Sequence, residues 1–243
     1  MHMYTFESPL EVGSIIARPN RFVMYVKKDG VTLQCHCPNT GKIGNRPLEG
    51  LSCLLSKSHD KKRKTNYTVE AISFNEAKSF VGINQNAVNR YVEYFFKNGF
   101  LGKVASNGHN ILREQKVGNA KLDFKIDHTY IEVKTPLKFL MLANPQNYQC
   151  GDKECLTSYD RLVRHMTELV ERIQENENAI LLICFVYDAT MFQVPTPTKT
   201  NKIIRDAVQR AAKSGVKMWQ VNMHIDMYGV KLLRYFEITH LFS

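Results

Sequence analysis

Short runs of alternating apolar and polar side chains fill the first third of the chain. Residues 12–17, 22–27 and 31–36 read as strands, parted by Arg18-Pro19-Asn20 and by Asp29-Gly30. An Asp-Gly pair between two such runs is a strong hairpin signal. Residues 51–56 and 67–74 continue the pattern. Five short strands with turns between them predict a small β-barrel over residues 1–80, the oligonucleotide-binding (OB) type being one option.

The period then changes. Val88, Tyr91, Val92, Phe95 and Phe96 recur at helical spacing, with Gly99 as a stop, predicting a helix over 84–97. Leu162, Val163, Met166, Leu169, Val170 and Ile173 form the stripe of a second helix over 158–176, and 201–214 is a third, ended by Gly215. Residues 179–187 are a continuous apolar run, as expected for a strand covered on both faces. Residues 217–225 and 230–238 read as closing strands, and 140–157 and 195–200 as loops. Helices alternating with strands predict an α/β domain with a mixed sheet over 81–243.

Within it, residues 121–134 read as two strands joined at Asp127-His128-Thr129. Leu122, Phe124 and Ile126 alternate with Asp123 and Lys125; Ile131 and Val133 alternate with Tyr130, Glu132 and Lys134. Glu132 and Lys134 therefore share a face, and Asp123 can approach Glu132 across the hairpin. Two carboxylates and a lysine at one spot suit metal-assisted hydrolysis of a phosphodiester. An amphipathic hairpin with solvated outer charges fits the same spacing.

Composition favours a polyanionic partner. The net charge of +10 is split evenly between residues 1–80 and 81–243, so the shorter stretch is about twice as basic per residue. Its excess comes from Lys61, Lys62, Arg63 and Lys64. Cys35-x-Cys37 has no second pair at zinc spacing, and six cysteines are too few for a disulfide scaffold of this length. Reduced thiols, no membrane-spanning run and no secretory signal lead to the expectation of a cytoplasmic protein, or a nuclear one in a eukaryote.

Several short motifs then acquire meaning together. They are Arg18-Pro-Asn-Arg21-Phe22, His36-Cys-Pro-Asn-Thr-Gly41, Leu54-Leu-Ser-Lys-Ser58, and the basic run 61–64 followed by Tyr67-Thr68 and Glu70. Further along come Val81-Gly-Ile-Asn84, Asn89-Arg90, Glu114, Asp123, Glu132-Val-Lys134, Arg161 and His165. In order and spacing they resemble the SfsA family, the sugar fermentation stimulation proteins, also described as DNA/RNA nucleases. The resemblance spans nearly the whole chain.

It implies an OB-like domain followed by a nuclease domain of the PD-(D/E)xK type. It makes Asp123, Glu132 and Glu114 ligands of Mg²⁺ or Mn²⁺, with Lys134 the catalytic lysine. Arg18, Arg21, Asn39, Lys61, Lys62, Arg63, Lys64, Arg161 and His165 become candidates for contact with a nucleic-acid strand. Phe22, Tyr25 and Tyr67 can stack on bases or fill the barrel. Leu122 replaces the motif's proline, Leu162 stands where the family has glycine, and Thr135-Pro136-Leu137 departs from the usual Asn-Val-Thr. The expected activity is metal-dependent cleavage of DNA or RNA. A nucleic-acid-binding regulator linked to sugar metabolism, with little or no cutting, is the alternative. A homo-oligomer is compatible with either.

Overall fold

The computed structural model describes residues 2–44, 46–58, 60, 62–105, 110–137, 140, 142, 159–194 and 201–242, with Tyr159 and Asp160 described by backbone only. Lys61, Cys150, Cys155, nearly all of the 140–157 stretch and residues 195–200 lie outside them.

Strand β1 (Met3–Thr5) is followed by five strands that build a barrel: β2 (Glu11–Asn20), β3 (Val23–Lys28), β4 (Val31–His36), β5 (Ser52–Lys57) and β6 (Tyr67–Ile72). β2, β3 and β4 form an antiparallel meander, β5 pairs with both β2 and β6, and a parallel pairing of β4 with β6 closes the ring. This is the expected OB barrel. Asp29 and Gly30 both take positive φ (48° and 80°), which a two-residue primed hairpin turn requires. Ile15, Met24, Val26, Cys35, Cys53, Leu55 and Val69 point inward. Burial pushes the Cys35 and Cys53 thiols up to about 11 and about 12, so they serve as small apolar side chains.

The rest of the chain forms a seven-stranded mixed sheet. Its strands are β8 (Ile111–Val117), β9 (Ala120–Ile126), β10 (Thr129–Lys134), β11 (Asn178–Phe185), β12 (Lys217–Ile225) and β13 (Gly229–Glu237), with β1 outside β13. β10–β11 and β11–β12 are parallel; the other pairs are antiparallel. Helix α1 (Gln85–Lys97) packs on one face through Val88, Tyr91, Val92, Phe95 and Phe96. Helices α2 (Tyr159–Gln174) and α3 (Lys202–Lys213) cover the other. β11 is sandwiched: Ile180, Leu182 and Cys184 face α1, while Leu181, Ile183 and Phe185 face α2 and α3. That double cover explains its unbroken apolar run.

Two strands cross the division at residue 80. β1 pairs with β13, and β7 (Val81–Gly82) extends the barrel sheet beside β6. Gly82 also donates its N–H to the carbonyl of Val186 just past β11, at 2.9 Å. A Cβ on Gly82 would lie 2.5 Å from Val186 Cγ1. Gly82→Ala is therefore expected to cost about 1–3 kcal/mol by overpacking, read as a lower midpoint in urea; an unchanged midpoint would show that the seam gives way freely.

Candidate metal and nucleic-acid site

The ladder between β9 and β10 runs through Thr129–Ile126 and Tyr130–Lys125 and stops at Ile131–Phe124. The next positions across the hairpin are Asp123 and Glu132. There the side chain of Asp123 takes over from the backbone: its Oδ2 accepts the Val133 N–H at 2.8 Å. Its Oδ1 accepts from Asn89 Nδ2 on α1 at 2.7 Å. Leu122 packs into the core under α2, whereas Phe124 and Ile126 pack into the core around α1. Simple alternation along β9 thus breaks at Asp123. Glu114, opposite on β8, is itself in the left-handed region at φ 55°.

Glu132 and Lys134 share a face, as their spacing predicts, but that face is not open to solvent. Helix α2 lies over it, leaving Glu132 1% exposed and His165 3%. Glu132 Oε1 accepts from both Lys134 Nζ and His165 Nδ1. A carboxylate can only accept here, so the imidazole carries its hydrogen on Nδ1. Glu132 Oε2 is buried with no hydrogen-bond partner. The Lys134 side chain remains 30% exposed and leads from the buried acid to the surface.

The two acids differ in titration. Burial pushes Asp123 above the usual aspartate range, and the neighbouring Glu132 charge adds to it, against donors from Val133 and Asn89. Burial also pushes Glu132 up, but His165 and Lys134 outweigh it and hold Glu132 below its usual value. An orphaned buried carboxylate oxygen beside a second acid strained by that charge fits a hard divalent cation, which would relieve both.

Glu114 does not join them. It is exposed and bonds Lys121 Nζ at 2.5 Å, and that lysine lowers its pKa. Among the described residues, no three His, Cys, Asp or Glu side chains gather as a metal cage. His165, expected to contact phosphate, instead supports Glu132; Arg161, one turn earlier on α2, is exposed.

On the barrel, Arg18 is occupied internally. Its Nη2 bonds the Asn39 carbonyl at 2.6 Å and its Nη1 the Gly41 carbonyl at 3.0 Å. Asn39 is buried, and its Oδ1 accepts the Gly41 N–H at 2.8 Å, an Asx turn. Arg21 is exposed, with its guanidinium 4.9 Å from the ring centre of Phe22, itself 48% exposed. Lys62 and Lys64 are exposed, and Arg63 Nη2 reaches Thr68 Oγ1 at 3.2 Å. In barrel order, Arg21 and Phe22 sit in the connection between the first and second strands. The basic run sits between the fourth and fifth. These are the two loops that flank the ligand face of OB barrels, and Tyr25 on β3 is exposed.

A family model for the SfsA N-terminal OB domain matches residues 16–83. Sugar fermentation stimulation protein homologs align end to end with the chain. That of Clostridium perfringens (strain 13 / Type A) is 28% identical over 239 residues, covering 96% of this chain and 99% of its own. That of Clostridium beijerinckii is 25% identical over 227 residues, covering 93% and 96%. The chain is thus similar to SfsA proteins over nearly its whole length, with residues 16–83 matching their N-terminal OB domain. An SfsA protein from Pyrococcus furiosus, solved in complex with Ca²⁺, superposes with a TM-score of 0.73 over 98% of both chains, at 19% identity. The OB barrel and following mixed α/β sheet are thus an SfsA architecture. The family names speak of sugar fermentation and do not state a reaction. Among the described residues, no helix is long and apolar enough to cross a membrane.

Proposed function

We propose that this protein is a divalent-metal-dependent nuclease of the PD-(D/E)xK type whose OB barrel holds the substrate strand. The observation that carries this reading is the buried, unpartnered Oε2 of Glu132 beside Asp123, with Lys134 on the other oxygen. Asp123 and Glu132 would hold Mg²⁺ or Mn²⁺, both of which favour oxygen ligands. When bound, such a cation acidifies water and takes up charge on the scissile phosphate. The chain's own groups do the rest. His165 fixes the Glu132 carboxylate, Asn89 and Val133 N–H fix that of Asp123, and Lys134 offers a cation to the developing negative charge. Ca²⁺ in the Pyrococcus furiosus relative is consistent with a hard-cation site.

On the barrel, Arg21, Lys62 and Lys64 would meet phosphates without reading sequence, and Phe22 and Tyr25 would stack on bases. Arg18 and Asn39 shape the loop they were expected to lend to the ligand. A second reading, binding without cutting, is favoured by one observation: Glu114 is turned to Lys121 and supplies no third acid.

The test is cleavage of labelled single-stranded DNA, duplex DNA and RNA with Mg²⁺, Mn²⁺ or EDTA, with binding followed in parallel. Cutting is expected only with metal. The double variant Lys62→Ala, Lys64→Ala is expected to bind more weakly and to shallow the salt dependence of log K, by about 0.7–0.9 for each phosphate no longer neutralised. Binding with no cutting under any metal would leave the second reading standing.

A further inference from the structure

We propose that Asn89 is a positioning residue of the Asp123–Glu132 site, an inference that rests on the nuclease reading above. Asn89 belongs to one of the motifs that carry the resemblance, but its contact with Asp123 spans 34 positions and no local pattern shows it. The geometry does. Helix α1 is pinned at its start on two sides. Toward the barrel, Glu70 on β6 is buried and accepts from Ser56 Oγ at 2.6 Å and from Asn84 Nδ2 at 2.7 Å. Asn84 is the N-cap of α1, its Oδ1 accepting the Ala87 N–H at 3.2 Å. Toward the sheet, Gln85 Nε2 donates to the carbonyl of Thr135, the residue after Lys134, at 2.8 Å.

Asn89 follows Gln85 by four residues and so lies on the same helix face. From that anchored turn its amide reaches Asp123 Oδ1, while Val133 N–H holds Oδ2. The terminal torsion of an aspartate is otherwise broad; two donors on opposite oxygens fix its plane. The β9–β10 backbone ladder has already ended at Phe124. The direction of this carboxylate is therefore set jointly by Asn89 on α1 and the Val133 N–H on β10, and not by the backbone ladder. A ligand held this way binds metal more tightly than one free to turn, and losing such an outer partner typically costs 10–100-fold in affinity.

The test is calorimetric titration of the full chain with Mn²⁺ alone, for wild type, Asn89→Ala, Asn89→Leu and Asn98→Ala. Asn98 bonds the Tyr94 carbonyl at the far end of the same helix. Ala is the best helix former and Leu keeps the volume, so the variants separate loss of the donor from loss of packing; metal-free melting temperatures confirm that each is folded. Both Asn89 variants are expected to bind Mn²⁺ about 10–100-fold more weakly, with Asn98→Ala like wild type. Wild-type affinity in Asn89→Ala would overturn the inference while leaving the nuclease reading intact. A wild type that takes up no Mn²⁺ would overturn both.

Discussion

Lys134→Ala is expected to slow cleavage by about 10²–10³-fold, the range seen when one preorganised stabilising group is removed from an active site, while strand affinity changes little. The ammonium sits on Glu132 Oε1 and remains partly exposed, so in the proposed reaction it would bridge the buried acid and the phosphate at the surface. Strand binding is assigned to the barrel loops, on other elements, which is why the two effects separate. Arginine is not expected to rescue: a planar fork does not reproduce a compact point charge in a partly buried slot. Single-turnover cleavage at saturating Mn²⁺, beside the dissociation constant for the same oligonucleotide, measures both quantities. An equal loss in binding and in rate would place Lys134 among the strand contacts instead.

His165→Leu is expected to destabilise the fold by about 2–3 kcal/mol, the upper range for losing a buried hydrogen bond to a charged group, with Lys134 still answering Glu132. The effect depends on pH with a definite sign. Glu132 is held below its usual value in the folded chain, with His165 the leading favourable partner after the opposing cost of burial. Its contribution is complete above the ordinary glutamate range and fades as pH falls through the depressed folded value. The gap between wild type and His165→Leu should therefore be widest near neutrality and narrow in acid. Urea unfolding of both proteins between about pH 3 and 7 reads this directly. A gap that widens in acid would contradict the assigned donor role of His165.

Much of this was legible in the chain. The stripe of Val88, Tyr91, Val92, Phe95 and Phe96 marks α1, and the even apolar run of β11 announces a strand covered on both faces. Both are local periodicities. The hairpin that brings Asp123 opposite Glu132 is likewise set by short-range alternation and a turn at Asp127, φ 49°. What stayed hidden depends on chain segments that meet only in the fold. β1 pairs with β13 from the opposite end of the sequence, over three residues too few to show a pattern. Arg18 has the chemistry of a phosphate ligand, but the carbonyls of Asn39 and Gly41 occupy it in the fold. The spacing of Glu132 and Lys134 fitted a solvated outer face as well as a site, because nothing local says that α2 will lie across them. For the same reason His165 passed as a strand contact and not as the partner of a buried acid. Glu114 carries the right chemistry, but a left-handed backbone and an adjacent lysine keep it at the surface.

The central claim is that Asp123 and the free oxygen of Glu132 form a divalent-cation site. It is tested most directly by anomalous scattering from crystals grown with Mn²⁺. A peak is expected within about 2.0–2.6 Å of Glu132 Oε2, shared with Asp123 and absent in Glu132→Ala. Well-diffracting crystals with Mn²⁺ at saturating concentration and no peak between these two carboxylates would contradict it.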